Sequence, residues 1–173
     1  HAHAEIRRVL WTKLLFNLNN AVNALSGRPL REQLAERGYR RIMARVIGEG
    51  LAVMDAQRIR LVRLGLLDAR LAARVLPMPD FVFRRVARSM VQIDPDARSS
   101  MADDLAQRRP TEVEYLNGAV VHAGREQGVS TPWNARIVEL VHQAEAAGRG
   151  SPELSPEALA ELTGEPAIVR AAP

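Results

Sequence analysis

EIRRVLWTKLLFNLNNAVNAL, residues 5–25, decides the fold class. Ile6, Leu10, Leu14 and Ala21 recur near the 3.6-residue period of an α-helix, and Gly27 followed by Pro29 ends the run. The stretch therefore predicts one long core helix over 5–25, with those four residues turned inward. Set into this apolar helix are Lys13, Asn17 and Asn20, at i, i+4 and i+7. That spacing puts three polar groups within about 40° of one another on one face.

Outward from this helix the chain continues in the same style. Residues 30–56 predict a second helix, with Leu34, Ile42, Val46 and Met54 on one stripe and arginines opposite, weakened locally at Gly38, Gly48 and Gly50. Residues 59–76 fit neither period and read as a short helix with a connector. Pro77 and Pro79 interrupt the chain, and Phe81, Val82, Val86 and Met90 resume a helical stripe. Asp94-Pro95-Asp96 is a turn, after which Ser99-Ser100 opens a short helix to Leu105, Ser100 and Asp103 having capping-box spacing. Pro110 and Thr131-Pro132 mark the starts of two further helices, about 111–127 and 131–144, the first closed by Gly128. Residues 1–147 thus read as one helical domain. Residues 148–173, rich in Gly, Ser, Pro and Glu, read as a surface appendage with one short helix after Ser155-Pro156.

Composition agrees with an all-α fold. Aromatic residues are only 4%, and β-branched residues are sparse beside Ala, Leu and Arg, which excludes a sheet-rich core. With 47% hydrophobic and 25% charged residues the chain belongs among ordinary globular proteins. No run approaches the ~20 apolar residues of a membrane span, and the first residues lack a signal-peptide pattern. There is no cysteine, so the expected location is cytoplasmic.

Charge is uneven. Residues 1–88 carry 17 basic and 7 acidic side chains, and residues 89–173 carry 7 and 13. Two readings fit: helical layers that neutralise each other, or an anionic partner such as nucleic acid. The first is preferred, because no basic run has interleaved aromatics and no zinc-finger or basic-zipper pattern is present.

Three constellations carry chemistry. Of 24 basic residues only Lys13 is lysine. With Asn17 and Asn20 it can bind a carboxylate or carbonyl and donate a proton, or it can extend to solvent while the asparagines bond nearby backbone. Glu112 stands where a helix begins, as a dipole-favoured acid or a site residue. Ser99-Ser100-Met101 offers hydroxyls beside free NH groups, for capping a helix or holding a carboxylate. No GxGxxG, P-loop, HExxH or GxSxG occurs, and His1, His3, His122 and His142 lack metal-ligand spacing beyond the terminal His1/His3 pair, so no metal is expected.

In order along the chain, Trp11-Thr12-Lys13-Leu14-Leu15-Phe16-Asn17, Ser99-Ser100-Met101 with Asp104, Thr111-Glu112 with Leu116-Asn117-Gly118, and Gly128 to Pro132 with Asn134 form a set with family-level specificity. Over roughly residues 5–145 it resembles the C-terminal domain of the 2-dehydropantoate 2-reductase, or ketopantoate reductase, family. The resemblance implies an all-α domain similar to the C-terminal domain of 6-phosphogluconate dehydrogenase. It also implies a Rossmann domain that holds NADPH, lies before residue 1 and is absent from these residues. The fragment alone is then expected to be inactive. The implied roles are Lys13 as general acid, Asn17 orienting the substrate, Glu112 binding the substrate hydroxyl end or positioning the lysine, and Ser100 holding the carboxylate, with Asn20 and Asn117 completing the substrate-binding set. Family members commonly carry a further asparagine eight residues after the lysine. Here that position is Ala21, with Asn20 and Asn23 nearest. The implied substrate is ketopantoate, on the route to pantothenate, and the implied assembly a possible homodimer without membrane or specific nucleic-acid partners. A reductase of another 2-keto or 3-oxo acid, and an arginine-rich module that binds nucleic acid or protein, are the alternatives.

Overall fold

The computed structural model describes residues 2–62, 68–87, 94 and 96–162, with side chains described for 5–62, 68–86, 94 and 96–161. The described residues form ten α-helices and no strand. The predicted long helix is two: α1, Ala2–Asn17, and α2, Asn19–Ser26. Leu18 between them keeps helical dihedrals (φ −57°, ψ −25°), and its NH still bonds Leu14 O at 3.0 Å, so the helical direction carries through. Gly27 ends α2 at φ 67°, a left-handed cap that an L side chain resists.

The buried stripe differs from the expected one. Leu15, Leu18, Ala21, Val22 and Leu25 are fully buried, whereas Ile6 and Leu10 are 56% and 60% exposed. Within α1 Leu15 lies fully in the core, Trp11, Leu14 and Phe16 pack against it half-buried, and the first turns of the helix extend beyond it.

The second predicted helix is likewise split, into α3, Leu30–Ala35, and α4, Arg37–Ala56. The break falls at Glu36 (φ −92°, ψ 118°), not at a glycine. Gly38 and Gly50 lie inside α4 where neighbours leave no room for a side chain: a Cβ at 38 would lie 2.5 Å from Pro156 Cβ, and one at 50 would lie 2.6 Å from Leu15 Cδ2. Where arginines were expected only on the outer face, Arg40 is completely buried. All its donors are used. Nε bonds Leu76 O, Nη1 bonds the Leu34 and Ala35 carbonyls released by the break, and Nη2 bonds Met78 O and Asp80 Oδ1, with Phe83 stacked 4.2 Å away.

The remaining helices are α5 (Ala69–Val75), α6 (Asp80–Ala87), α7 (Ser100–Ala106), α8 (Asn117–Gln127), α9 (Pro132–Ala147) and α10 (Pro156–Leu162), with a 3₁₀ turn at Val113–Tyr115. The expected extension of α6 to Met90 lies outside the described residues. The cap of α7 is Ser99, whose Oγ accepts the Ala102 NH, and not Ser100. α4 is the central helix, with α1, α2, α5, α8, α9 and α10 laid against it, while α2 also packs on α7 and α9.

The tail corrects a second expectation. Leu154 NH bonds Leu25 O, Tyr39 Oη donates to Leu154 O, and Leu159 and Ala160 are fully buried, so residues 154–160 close the core over α2 and α4. A few apolar residues among polar ones suffice once α4 leaves Gly38 open for Pro156. Residues 163–173 lie outside the described set.

Several ion pairs of the described residues lie within one half of the chain and do not join the two halves. Arg28 with Glu36, Arg40 with Asp80 and Arg70 with Asp55 are internal to the front half, and Arg109 with Asp104 and Arg136 with Glu139 to the back.

Candidate functional site

α1 and α2 carry the first group. Lys13 is exposed, and Asn17 and Asn20 are half-buried. Because Leu18 stays helical, the i, i+4, i+7 relation survives and the three share a face. Ile6 and Leu10, with Val9 at 43% exposure, continue that face toward the start of α1. An exposed apolar strip of three residues thus leads to the Lys13 ammonium and the two amides.

The α7 start is joined to this face. Ser99 Oγ donates to Asn20 O at 3.0 Å, and Ser99 NH donates to Asn23 Oδ1 at 2.9 Å. Ser100, the next residue, is exposed. Asn23 is fully buried and bonds Arg28 O and Gln33 Oε1, so of the two asparagines near Ala21 only Asn20 has a side chain free for a ligand. Ala21 itself is in the core.

Glu112 does not sit in the first turn of α8, as its spacing suggested. It precedes the 3₁₀ turn, its carbonyl accepting the Tyr115 and Leu116 NH groups, and the chain leaves helical geometry at Leu116 (φ −107°, ψ −88°) before α8 starts at Asn117. The cause is tertiary. Thr111 NH is held by Glu145 Oε1 at 2.7 Å, and His142 bridges Glu114 Oε1 and Glu145 Oε2, both at 2.8 Å. Those two hydrogen bonds, with Glu114 first, hold the His142 imidazole above its ordinary pKa. Burial pushes the Glu145 carboxyl up, but the Thr111 NH and His142 outweigh it and leave it below the usual value.

Asn117 is fully buried. Its Nδ2 donates to Asn134 Oδ1, and its Oδ1 has no partner. Asn134 Nδ2 in turn bonds Val46 O and Glu49 Oε2, and the Glu49 carboxylate caps α9 by accepting the Trp133 and Asn134 NH groups at 2.8 and 2.9 Å. Burial raises the Glu49 pKa against these hydrogen bonds.

Of the expected site groups, Asn20 and Ser100 are linked only through Ser99, which bonds the Asn20 carbonyl and precedes Ser100 in the chain. Lys13, Asn17, Asn20, Ser100 and Glu112 make no side-chain hydrogen bond or ion pair among the described residues. No bond links Glu112 or Asn117 to the Lys13 face. The connection runs through packing at Gly50, where Leu15, Leu18 and Val120 meet one turn along α8 from Asn117. No cluster of three metal-ligating side chains occurs among the described residues, where the His1/His3 side chains are not included, and no described helix is long and apolar enough to cross a membrane. Sequence reasoning missed Glu49, His142 and Arg40. Only the isolated Asn134 after Thr131-Pro132 hinted at the first.

Residues 5–145 match the family model for the ketopantoate reductase PanE/ApbA C terminal. The chain belongs to that family. Among curated relatives, the 2-dehydropantoate 2-reductase of Vibrio cholerae is 27% identical over 143 residues, 82% of this chain and 42% of the relative. That of Caulobacter vibrioides is 31% identical over 134 residues, 78% and 40% of the two chains. The chain therefore spans about two fifths of the length of these relatives. Among solved structures, a PanE/ApbA family ketopantoate reductase from Ralstonia eutropha JMP134 superposes with a TM-score of 0.65 at 30% identity, covering 83% of this chain and 43% of that one. A D-mandelate dehydrogenase solved with NADH and anilino(oxo)acetate shares the fold at TM-score 0.63 and 23% identity, covering 80% and 40%.

Proposed function

We propose that this chain is the substrate-binding part of a 2-keto acid reductase that converts ketopantoate to pantoate. The observation that carries this reading is the shared face of Lys13, Asn17 and Asn20, whose polar ends have no partner while an exposed apolar strip runs up to them.

In this reading Lys13 hydrogen-bonds the keto oxygen. As the carbonyl carbon is reduced, negative charge grows on that oxygen, and the Lys13 ammonium stabilises it before transferring one proton to form the hydroxyl. The lysine is left neutral and regains a proton from solvent. Asn17 and Asn20 fix the orientation of the keto acid, and the Ser100 hydroxyl donates to its carboxylate. Glu112 accepts from the substrate hydroxyl or holds Lys13 in place. Asn117, being buried, is assigned to positioning the Glu112 segment through Asn134.

NADPH is the proposed reductant. The described residues contain no strand leading into a glycine-rich turn, the unit that cradles a dinucleotide pyrophosphate. The cofactor is therefore assigned to a Rossmann domain outside this chain, and these residues take only the proton and positioning roles. Closure of such a domain over Ile6, Val9 and Leu10 would remove water from the Lys13 face. A homodimer in the cytoplasm is proposed on the example of the dimeric ketopantoate reductase of Staphylococcus aureus, whose fold this chain shares at TM-score 0.61.

The test is Lys13→Ala in the full-length enzyme with ketopantoate and NADPH. The expected result is a fall in kcat on the order of 100-fold or more with substrate binding retained. Activity near wild type would remove Lys13 from the proton-transfer role, and a preference for a different keto acid would replace the substrate.

A further inference from the structure

Away from the Lys13 face, a cleft of about 290 Å³ lies between α1 and the turn after α4, lined by Arg7, Arg8, Gln57, Arg58, Ile59 and Arg60. Four of its six residues are arginine. Successive helix residues are offset by about 100°, so Arg7 and Arg8 are turned some 120–140° away from Lys13 around α1. A ligand here leaves the keto acid face open.

The cleft is held in shape by its own cations. Arg7 Nη2 donates to Gln57 Oε1 and Arg8 Nε donates to Arg60 O, both at 2.9 Å, which ties α1 to the turn at two points and leaves most guanidinium donors unused. Arg58 takes the left-handed conformation, φ 56°, where a non-glycine residue is disfavoured. That turn sends Ile59 into the core, 7% exposed, and leaves Arg58 and Arg60 on either side of it in the cleft wall.

Negative charge is in short supply around them. Glu5 pairs with Arg8, and Asp55, the other nearby carboxylate, pairs with Arg70. Arg58 and Arg60 have no carboxylate partner among the described residues. Four guanidiniums line one concave surface, two of them hydrogen-bonded to the neighbouring segment, and together they match an anion with several acceptor oxygens.

We infer that this cleft binds the phosphate groups of a small phosphorylated molecule, through Arg7, Arg8, Arg58 and Arg60. The inference is independent of the reductase reading. A diphosphate carries more charge and more acceptor oxygens than sulfate, and so is the better match for four guanidiniums.

Isothermal titration of the chain with inorganic pyrophosphate, ADP, sulfate and a short single-stranded oligonucleotide tests this. Saturable one-to-one binding of pyrophosphate is expected, at least tenfold tighter than sulfate. It should weaken tenfold or more in Arg58→Gln/Arg60→Gln and stay unchanged in Arg108→Gln/Arg109→Gln, which removes equal charge elsewhere. ADP bound tighter than pyrophosphate identifies a nucleotide as the natural source, and equal affinity identifies the phosphates alone; both support the site. A rise in Tm with pyrophosphate in wild type, lost in Arg58→Gln/Arg60→Gln, provides a second readout. No saturable binding, equal loss in both double variants, or an oligonucleotide preference with a steep salt dependence would overturn the proposal.

Discussion

Asn117 Nδ2 donates to Asn134 Oδ1 across 3.0 Å in a fully buried contact, and through Asn134 the start of α8 is fastened to Glu49 and Val46 of α4. Three helices meet at one side-chain amide. Asn134→Ala removes that hub and strands the buried Asn117 amide without a partner. The expected cost is about 3 kcal/mol, since each unpaired buried polar group costs roughly 1–3 kcal/mol. Urea denaturation measures it, and a loss below about 1 kcal/mol would mean that water replaces the amide.

Arg40 is the second structural cation. Arg40→Ala would leave the carbonyls of Leu34, Ala35, Leu76 and Met78 without this donor, and truncating one partner of a buried charge network costs about 3–5 kcal/mol. Arg40→Lys should recover only part of this, because an ammonium has three donors in place of five. Thermal unfolding of both variants checks the order. Its hydrogen bond to Asp80 lowers that carboxyl's pKa, so this pair contributes stability above the ordinary aspartate range and loses it as pH falls.

His142 has the opposite sign. Its folded pKa is raised by Glu114 and Glu145, so its contribution is complete below the ordinary histidine value of 6.5 and is lost as pH rises through the folded value. With a side chain 45% exposed the effect is modest. Tm should decline from pH 6 to pH 8 in wild type by more than in His142→Gln. Parallel Tm profiles for the two proteins would show that the His142 bridge does not couple to folding.

Ile6 and Leu10 distinguish the isolated chain from the proposed full-length reductase. Ile6→Ser/Leu10→Ser changes exposed side chains only, so the chain alone should keep its stability within about 0.5 kcal/mol. In the full-length protein the same pair should loosen the closed state and raise KM severalfold. Destabilisation of the isolated chain would mean instead that these residues support α1 itself.

Much of this was legible in the residues because helix periodicity and punctuation are local. The starts of α9 and α10, the closing glycines at 27 and 128 and the capped start of α7 follow from short-range chemistry at Pro132, Pro156 and Ser99. The Lys13 face was legible for the same reason, since i, i+4 and i+7 share a side of any helix that does not bend. The buried stripe of α1 was not, because Ile6 and Leu15 are equally apolar and nothing local says which one α4 will cross.

The sequence by itself determined an all-helical chain, its family and the grouping of Lys13, Asn17 and Asn20, all set by spacing along one strand of backbone. Tertiary structure alone decided that Arg40 is buried and Arg58 is not, that residues 154–160 complete the core, and that Glu112 precedes a 3₁₀ turn in a segment gripped by Glu145 and His142 at Thr111 and Glu114. Those outcomes rest chiefly on contacts between residues 28 to 115 apart in the chain, whose approach is governed by packing at points such as Gly38 and Gly50.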